Sequence, residues 1–407
     1  MKKAHGNWVS GERFWNRTEE LAIVVNKVEE GAHLLITAQR RMGKTSLLRE
    51  LATQLKERYI CLFVDFQHAA GPADAVVDIS LAVNPYKPLW SKTKDLFKNI
   101  LGLIEQVNIG DLGVTLRAGI TDTNWKEKGD GLFTILASSE IPVVLMMDEV
   151  PILVNRILKG DDFTITPERR READIFMSWL RDNGQRHKGK ITMLISGSIG
   201  LEPVLNQAGL SATLNTFEPF ELKPWDSATA IGCLEALAGE YGLTFPDSTA
   251  QAIVNRLGYC IPHHVQMFFS NIHDRCVRRG VSVFHPEEVE EVYQAEMLGI
   301  HGHVELTHYE ERLKLVLPIE RYALALEILT ETSVSGCLTR EALSALGKYY
   351  ELPSNSMAET WKEILQVLEH DGYLKMSGDC YIFVSPLLKD WWRKRHGFFH
   401  TPVLDRR

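Results

Sequence analysis

The stretch that decides the fold is residues 34–45, which read Leu-Leu-Ile-Thr-Ala-Gln-Arg-Arg-Met-Gly-Lys-Thr. Its apolar start predicts a buried strand, and the leucine spacing over residues 47–55 predicts an amphipathic helix after it. Gly43-Lys44-Thr45 is the end of a phosphate-binding loop in its usual place between strand and helix. The motif normally begins with glycine, where this chain has Ala38. Alanine can make the same turn while its φ stays negative, so we expect a working loop.

The loop residues have predicted roles in binding a nucleoside triphosphate with Mg²⁺. Gly43 lets backbone N–H groups turn toward the phosphates, and Lys44 places its ammonium on the β- and γ-phosphates. The Thr45 hydroxyl is a predicted Mg²⁺ ligand, and the helix that begins there directs its positive end toward the same anion. The loop residues predicted to bind the nucleotide are Gln39, Arg40, Arg41, Met42, Gly43, Lys44, Thr45 and Ser46.

A second motif lies at residues 143–149, Val-Val-Leu-Met-Met-Asp-Glu. Five apolar residues in a row are typical of a strand buried on both faces of a parallel sheet. Asp148 at its end is a predicted Mg²⁺ ligand, and Glu149 is the natural base to polarise an attacking water. A nucleotide kinase does not need that glutamate, because its acceptor is not water. The pair therefore predicts an ATP hydrolase.

Further catalytic candidates lie in and before the strand at 191–196. Ser196 and Ser198 could sense the γ-phosphate or hold the water, although an ordinary Ser-Gly turn is the alternative. Arg181 and Arg186 precede this strand and are candidates for an arginine that completes a neighbouring subunit's site. The run Arg169-Arg170-Arg171 is a second possibility, but a solvated helix face explains it better.

Composition limits the classes of protein that fit. The chain has 407 residues, 45% hydrophobic and 24% charged, as in an ordinary globular protein of two or three domains. Its net charge of −8 argues against a chain that binds nucleic acid by overall charge. Met1–Ser10 lacks the apolar segment of a signal peptide, and no run of about 18 apolar residues predicts a membrane span. We expect a cytoplasmic protein with reduced cysteines, since no Cys-x-x-Cys pair occurs.

Strand candidates at 33–37, 60–65, 143–147, 191–196 and 213–217 alternate with helical patterns. Such alternation predicts an α/β fold with a parallel sheet and helices on both faces. Residues 66–135 predict a peripheral insertion of mixed helix and irregular loop. We expect a nucleotide-binding core at 1–220, a helical lid at 221–310 and a winged helix at 311–407. The last prediction comes from three helical patterns followed by short strands at Tyr373–Met376 and Tyr381–Val384.

Several motifs together resemble the archaeal-type ATPases, which are P-loop proteins related to the AAA+ class and near the STAND class of signal-transducing ATPases. Besides the loop, the matching segments are Phe14-Trp15-Asn16-Arg17, Asp148-Glu149-Val150-Pro151, Gly197-Ser198-Ile199-Gly200-Leu201-Glu202, Phe220-Glu221-Leu222-Lys223-Pro224, Asp371-Gly372-Tyr373-Leu374 and Phe383-Val384-Ser385-Pro386. The resemblance spans nearly the whole chain. It implies a core, a lid and a winged helix, with ATP held between core and lid.

The resemblance also implies contacts with the nucleotide's base and sugar. Residues near Phe14 and Arg17 often line the adenine in such proteins, and a glycine–proline motif on the lid, here Gly258 and Pro262, touches the base or sugar. The spacing of four residues from Gly258 to Pro262 is longer than the usual Gly-x-Pro. The arginine sensor of many AAA+ lids has no clear match, and His263 or His264 could replace it.

The winged helix has a weak DNA-reading face. Its predicted recognition helix, residues 356–370, is net negative, whereas base-reading helices usually carry Arg, Lys or Asn. Only Arg393-Lys394-Arg395 and Arg406-Arg407 could touch phosphate, and Trp391-Trp392 is expected to be buried. We therefore expect a regulatory winged helix.

The favoured function is an ATP-driven switch with slow, Mg²⁺-dependent hydrolysis coupled to conformational change or assembly. Its partners are the nucleotide and either further copies of the chain or a regulatory protein. The alternative is a DNA-associated AAA+ ATPase similar to origin-recognition or transposition ATPases. A third option is a degenerate scaffold that binds nucleotide without turnover, because of Ala38.

Overall fold

The computed structural model describes residues 2–3, 9–98 and 109–406, with the side chains of 109–112 left out. Contacts between residues divide the chain into two units. Unit 1 comprises Met1–Asn16, Ala38–Gly43 and Lys223–Arg407, and unit 2 comprises Arg17–Thr37 and Lys44–Leu222. The division passes through the phosphate-loop motif, between Gly43 and Lys44. The predicted three-domain boundaries stay predictions.

Within the described residues, unit 2 contains a parallel sheet of five strands in the order β2-β3-β4-β1-β5. Every residue of β3 and β4 is buried, and because successive side chains point to opposite faces, both faces of the sheet are covered there. The predicted α/β fold is confirmed. The strands are β1 (His33–Thr37), β2 (Ile60–Asp65), β3 (Val143–Asp148), β4 (Ile191–Ser196) and β5 (Phe217–Glu221).

The fifth strand was predicted at 213–217, and that position is wrong. Residues Ser211–Leu214 form a short 3₁₀ helix, in which the Thr213 hydroxyl donates to the Leu210 carbonyl. The strand begins only at Phe217 and includes Pro219. A proline lacks the N–H that an interior strand needs, but β5 lies at the edge of the sheet and pairs only with β1.

The segment 66–135 is more helical and more deeply packed than expected. Its described part contains four helices, and Trp125 in this segment packs edge-on against Trp179, with ring centroids 5.2 Å apart. Residues 99–108, which include part of the glycine-punctuated stretch, lie outside the described residues. The helices of unit 2 are α1 (Thr18–Glu29), α2 (Lys44–Leu55), α3 (Pro72–Ala82), α4 (Lys87–Leu96), α5 (Ile109–Gly119), α6 (Trp125–Ala137), α7 (Val150–Lys159), α8 (Pro167–Arg186) and α9 (Leu201–Asn206).

Unit 1 is mainly helical in its described residues, and a π-helix, Tyr293–Met297, precedes α14. After α17 comes an antiparallel hairpin of β6 (Leu374–Ser377) and β7 (Cys380–Phe383). The order α15, α16, α17 and hairpin is the one that a winged helix requires, and that classification stays a prediction. The helices are α10 (Ser227–Glu240), α11 (Thr249–Leu257), α12 (Pro262–Arg279), α13 (Val289–Val292), α14 (Ile300–Val316), α15 (Ile319–Ser335), α16 (Arg340–Tyr349), α17 (Met357–His370) and α18 (Pro386–His396).

The tryptophan pair on α18 is buried inside unit 1. Trp391 is 2% exposed and Trp392 is fully buried, and the Trp392 indole donates to the Thr330 hydroxyl on α15. Burial of two large aromatic side chains stabilises the packing of α18 on α15. Among the described residues, no helix has the length and apolar character needed to cross a bilayer.

Candidate active site

The centre of the candidate site is the carboxylate of Asp148 at the end of β3. The side chain is buried, its Oδ2 accepts a hydrogen bond from the Thr45 hydroxyl at 2.7 Å, and its Oδ1 accepts one from the Ser196 hydroxyl at 2.6 Å. Ser196 ends β4, the neighbouring strand, so parallel pairing brings the two side chains to one edge of the sheet. Carboxylate and hydroxyl oxygens are hard ligands that suit Mg²⁺. The two residues predicted as metal ligands are therefore in contact, and their role as ligands stays a prediction.

The predicted base, Glu149, is held by Ser198. Its Oε2 accepts the Ser198 backbone N–H at 2.9 Å and the Ser198 hydroxyl at 2.6 Å. The Glu149 backbone is left-handed, with φ at 60°, a conformation that a residue with a Cβ rarely adopts. Such strain persists when the surroundings over-determine it and often accompanies function. The structure thus assigns the two predicted serines different partners, Asp148 for Ser196 and Glu149 for Ser198.

Gly197, between these serines, allows the loop after β4 to approach α7. A Cβ at this position would lie 2.4 Å from Cδ of the Pro151 ring, which cannot move aside as a flexible chain could. Pro151 occupies the first turn of α7, immediately after the Glu149 backbone bend. The absence of a side chain at Gly197 therefore allows Ser198 to reach the Glu149 carboxylate.

Lys44 begins α2 in unit 2 and is only 8% exposed, and Ser46 beside it is 7% exposed. An anion bound at this helix start would meet both the Lys44 ammonium and the positive helix end. Gly43 has φ at +92°, in the region that glycine adopts readily. These local conformations are those expected of a loop that turns its N–H groups toward phosphate.

Two residues near Asp148 were missed by the sequence analysis. Asp65 ends β2 and is the register partner of Asp148. The Arg49 guanidinium lies 3.7 Å from the ring centroid of Phe63. Burial lowers the pKa of Arg49, and the nearby carboxylates of Asp148 and Asp65 act in the opposite direction. The sequence held one signal for Asp65, which ends a predicted strand. Adjacent parallel strands end at the same edge of a sheet, so a residue at a strand end is a candidate for the site.

The first part of the motif packs within unit 1. The Arg40 guanidinium donates to the His308 carbonyl at 3.2 Å, and Arg41 forms an ion pair with Glu305 at 3.0 Å. Both acceptors belong to α14. The loop arginines predicted to bind nucleotide are thus partly engaged by a helix of this unit.

The remaining loop residues of unit 1 are also packed. A Cβ added to Gly372 would lie 2.1 Å from Cδ of Gln39, so the Gln39 carboxamide rests directly on the Gly372 backbone. Met42 is 2% exposed. Gly372 belongs to the Asp-Gly-Tyr-Leu motif, and this contact gives that motif a physical reason for its glycine.

The candidates for base and sugar contacts lie in separate parts of the chain. Phe14 is partly buried in unit 1, whereas Arg17 belongs to unit 2, has φ at 70° and bonds Glu20 at 2.5 Å. Pro262 is the buried first residue of α12. Their contacts with a nucleotide stay predictions.

The two histidines after Pro262 differ in their ability to carry charge. His264 is 1% exposed, and burial lowers its pKa to about 3, which favours its neutral form. The His263 ring nitrogen lies 3.0 Å from Glu305. A sensor role for either histidine stays a prediction.

The candidate arginines for a neighbouring site lie toward the end of α8. Arg181 is partly exposed and lies 3.5 Å from Asp182, and Arg186 is exposed at the last position of the helix. In the alternative run, Arg169 donates to the Lys159 carbonyl and Arg170 donates to the Ala208 carbonyl. These contacts give Arg169 and Arg170 a structural role, so Arg181 and Arg186 stay the better candidates for an arginine that completes a neighbouring subunit's site.

Comparison with known proteins identifies the fold. No family model and no curated protein match the chain. A Walker-type ATPase of Pyrococcus abyssi matches with 17% identity and a TM-score of 0.62, over 96% of this chain and 99% of the other. The chain shares the fold of this Walker-type ATPase.

Two further structures show how far this fold comparison extends. The Aeropyrum pernix ORC2 protein, solved in complexes with ADPNP and ADP, matches with 12% identity and a TM-score of 0.51, over 94% of this chain and 96% of the other. The Aeropyrum pernix ORC1 protein in complex with DNA matches with 12% identity and a TM-score of 0.42, over 95% and 94%. Identities this low establish the fold of the chain and not its activity, and the last TM-score supports no inference.

Proposed function

We propose that this chain binds ATP with Mg²⁺ and slowly hydrolyses the bond to the terminal phosphate. The observation that supports this most is the Asp148 carboxylate, which contacts the Thr45 hydroxyl at 2.7 Å and the Ser196 hydroxyl at 2.6 Å. Beside it, Glu149 is held by two donors of Ser198. A carboxylate among hydroxyls and a second, oriented carboxylate are what metal-assisted attack by water requires.

Each residue has one task in the proposed reaction. Lys44 neutralises charge on the phosphates, and Thr45 with Asp148 holds Mg²⁺, which supplies electrostatic stabilisation of the developing negative charge. Glu149 accepts a proton from water as the water oxygen bonds to the terminal phosphorus. The bond from that phosphorus to the oxygen of ADP breaks, so ATP and water become ADP and phosphate.

Phosphate release and nucleotide binding, measured on the full chain, test the proposal. We expect Lys44→Ala to weaken ATP binding at least about tenfold, because a charge-assisted contact to phosphate is lost. Glu149→Gln should keep binding and lower turnover by about 100-fold or more, the usual contribution of a general base. Lys56→Ala and Glu140→Gln, which change exposed residues of the same types, are the matched controls.

Equal ATP affinity in the wild type and the Lys44 variant would end the proposal. ATP binding without any phosphate release would instead support the degenerate scaffold that Ala38 suggested. Turnover that survives in Glu149→Gln would assign the base to another residue.

The finer part of the proposal is that nucleotide state is transmitted to unit 1. Its support is that Gln39, Arg40 and Arg41 of the phosphate loop contact α14 and Gly372 within that unit. A ligand that bound the loop and altered those contacts would interact differently with the two states of unit 1, which is what a switch requires.

Hydrogen exchange and native mass, each measured with ADP and with a non-hydrolysable ATP analogue, test the switch. We expect amide exchange over α14 to differ between the two ligands, with or without a change in subunit number. Identical exchange and identical mass with both ligands would remove the switch and leave a plain ATPase.

The DNA-associated alternative has less support from contacts in the described residues. In the basic cluster on α18, Arg395 donates to Glu310 at 2.7 Å and Lys394 donates to the Leu298 carbonyl at 3.1 Å. These contacts hold two of the three charges within unit 1. A steep salt-dependent affinity for duplex DNA that is lost in Arg393→Glu would favour the alternative, and no binding at low salt would remove it.

A further inference from the structure

Three guanidinium groups lie along one side of α14 in unit 1. Arg40 of the phosphate loop donates to the His308 carbonyl at 3.2 Å, and Arg41 pairs with Glu305 at 3.0 Å. Arg312 lies one turn after His308 on the same side of the helix. Burial and the positive charges of Arg312 and Arg41 together lower the pKa of Arg40 to about 10. Such a cluster of guanidinium groups attracts anions, whether carboxylates of the chain or a ligand.

A buried hydroxyl lies beside this cluster. Tyr309 is 4% exposed, and its hydroxyl has no hydrogen-bond partner among the residues that the structure describes. Tyr309 follows His308, the residue whose carbonyl accepts from Arg40. Burial raises the pKa of Tyr309, while the charges of Arg40 and Arg41 act to lower it. Tyr309 and Arg312 are three positions apart on α14, so they lie on the same side of the helix.

A buried hydroxyl without a partner costs free energy, and an anionic oxygen beside it would remove that cost. Guanidinium forks and an O–H donor together match the several oxygens of a phosphate group, which accept from multiple donors. The missing partner of Tyr309 is an observation independent of the arginine cluster, and both indicate the same ligand chemistry.

A carboxylate of the same helix already contacts this cluster. Glu305 pairs with Arg41 at 3.0 Å and lies 3.0 Å from the His263 ring nitrogen. The hydrogen bond with His263, with the charges of His263 and Arg41, holds the pKa of Glu305 at about 2, so the group is ionised at ordinary pH. An anionic ligand that approaches Arg41 must therefore displace a carboxylate or share the arginine with it.

We propose that the three guanidinium groups and the Tyr309 hydroxyl form a subsite for a phosphoanion, and that Glu305 competes with that anion for Arg41. Every residue of the subsite belongs to unit 1. The source of the phosphoanion is either the terminal phosphate of a nucleoside triphosphate, which rests on the proposed function, or a free inorganic phosphoanion. Glu305 then sets how readily the phosphate loop accepts its ligand.

Calorimetric titration of the full chain with a non-hydrolysable ATP analogue, ADP and inorganic triphosphate tests the subsite. We expect Tyr309→Phe and Arg312→Gln each to weaken binding of the ATP analogue and of triphosphate about tenfold, since each removes a donor to a charged oxygen. Glu305→Gln should strengthen both about threefold or more. ADP, which lacks the terminal phosphate, should be affected least.

Matched controls separate these effects from general changes in the fold. Tyr349→Phe removes an exposed tyrosine hydroxyl, and Glu311→Gln neutralises an exposed carboxylate on α14 that pairs with His308 instead. Neither should change any affinity by more than about twofold. If Arg312→Gln does not fold, Arg312→Lys keeps the charge without the planar fork and should still weaken triphosphate binding.

The outcomes distinguish the subsite from the proposed function. Wild-type affinities in Tyr309→Phe and Arg312→Gln, or a Glu305→Gln variant that behaves as Glu311→Gln does, would overturn the subsite while ATP binding stands. If the protein binds triphosphate but no nucleotide, and Arg312→Gln weakens the triphosphate binding, the subsite is supported and the proposed function is removed. No binding of any phosphoanion by the wild type or Glu305→Gln would remove both.

Discussion

Replacing Ser198 by alanine tests how the base is oriented. Oε2 of Glu149 accepts two donors from Ser198, the backbone N–H at 2.9 Å and the hydroxyl at 2.6 Å. Ser198→Ala removes only the hydroxyl. A hydrogen bond to a charged acceptor contributes about 1.5–3 kcal/mol, and both side chains are partly exposed, so the lower end applies. About 1.5 kcal/mol corresponds to about a tenfold change in rate.

Steady-state phosphate release and equilibrium binding of an ATP analogue measure this effect. We expect kcat to fall about tenfold in Ser198→Ala while affinity for the analogue changes less than about twofold, because the Ser198 hydroxyl donates to the proposed base, Glu149. Ser198→Thr keeps a hydroxyl and should restore most of the rate. Ser178→Ala is the control, since its hydroxyl lies 3.5 Å from the surface carboxylate of Asp174.

Two results would refute this reasoning. Wild-type turnover in Ser198→Ala would show that the hydroxyl does not orient Glu149 during hydrolysis. A loss of analogue binding as large as the loss of rate would assign Ser198 to ligand binding or to general folding.

Three further predictions concern stability and assembly. Asp78→Asn, which also weakens the ion pair with Arg117, should be more favourable to the free energy of unfolding at pH 7 than near pH 4 by about 1 kcal/mol, because solvent screens this partly exposed carboxylate; urea denaturation at both pH values measures the difference. Burial raises the pKa of the Asp78 carboxyl from 3.8 to about 6. Between these two values the folded state keeps a proton that the unfolded state has lost, so the stability of the wild type falls as pH rises through this range. An equal effect of the substitution at both pH values would contradict the raised pKa. Gly197→Ala should destabilise the protein by about 1–3 kcal/mol through overlap with Pro151, and an unchanged urea midpoint would show that the loop relaxes. Arg181→Ala or Arg186→Ala should lower ATPase turnover while sparing nucleotide binding, and unchanged turnover in both would exclude an arginine supplied to a neighbouring subunit.

Much of the fold could be predicted because its signals are local. The strands β1, β3 and β4 are largely apolar and almost wholly buried, as a sheet covered on both faces requires. The fifth strand was misplaced because Pro219 is acceptable only at a sheet edge, and edge position depends on the order of strands in space. Residues 66–135 were judged peripheral because the partners of Trp125 come from a distant helix.

The candidate site, like the fold, could be predicted only where its residues belong to local sequence patterns. Thr45, Asp148 and Glu149 could be found because loop, strand end and helix start each follow from a few consecutive residues. Asp65 could be placed at a strand end, but its nearness to Asp148 depends on strand register, and the nearness of Arg49 depends on the packing of α2. The sequence also did not predict that Ser196 and Ser198 have different partners, because predicting such hydrogen bonds requires the positions of the side chains.

By itself, the amino-acid sequence determined that a strand, a glycine-containing turn and a helix follow one another at residues 33–55, and that two acidic residues end a buried strand. Turn conformation, helix phase and strand burial depend on neighbouring residues, so a short stretch specifies them. Only the tertiary structure decided that Arg41 meets Glu305, 264 positions away, and that Tyr309 lies buried beside the loop arginines. Such contacts depend on how distant helices pack, and packing reflects the whole chain at once, so no local pattern encodes them.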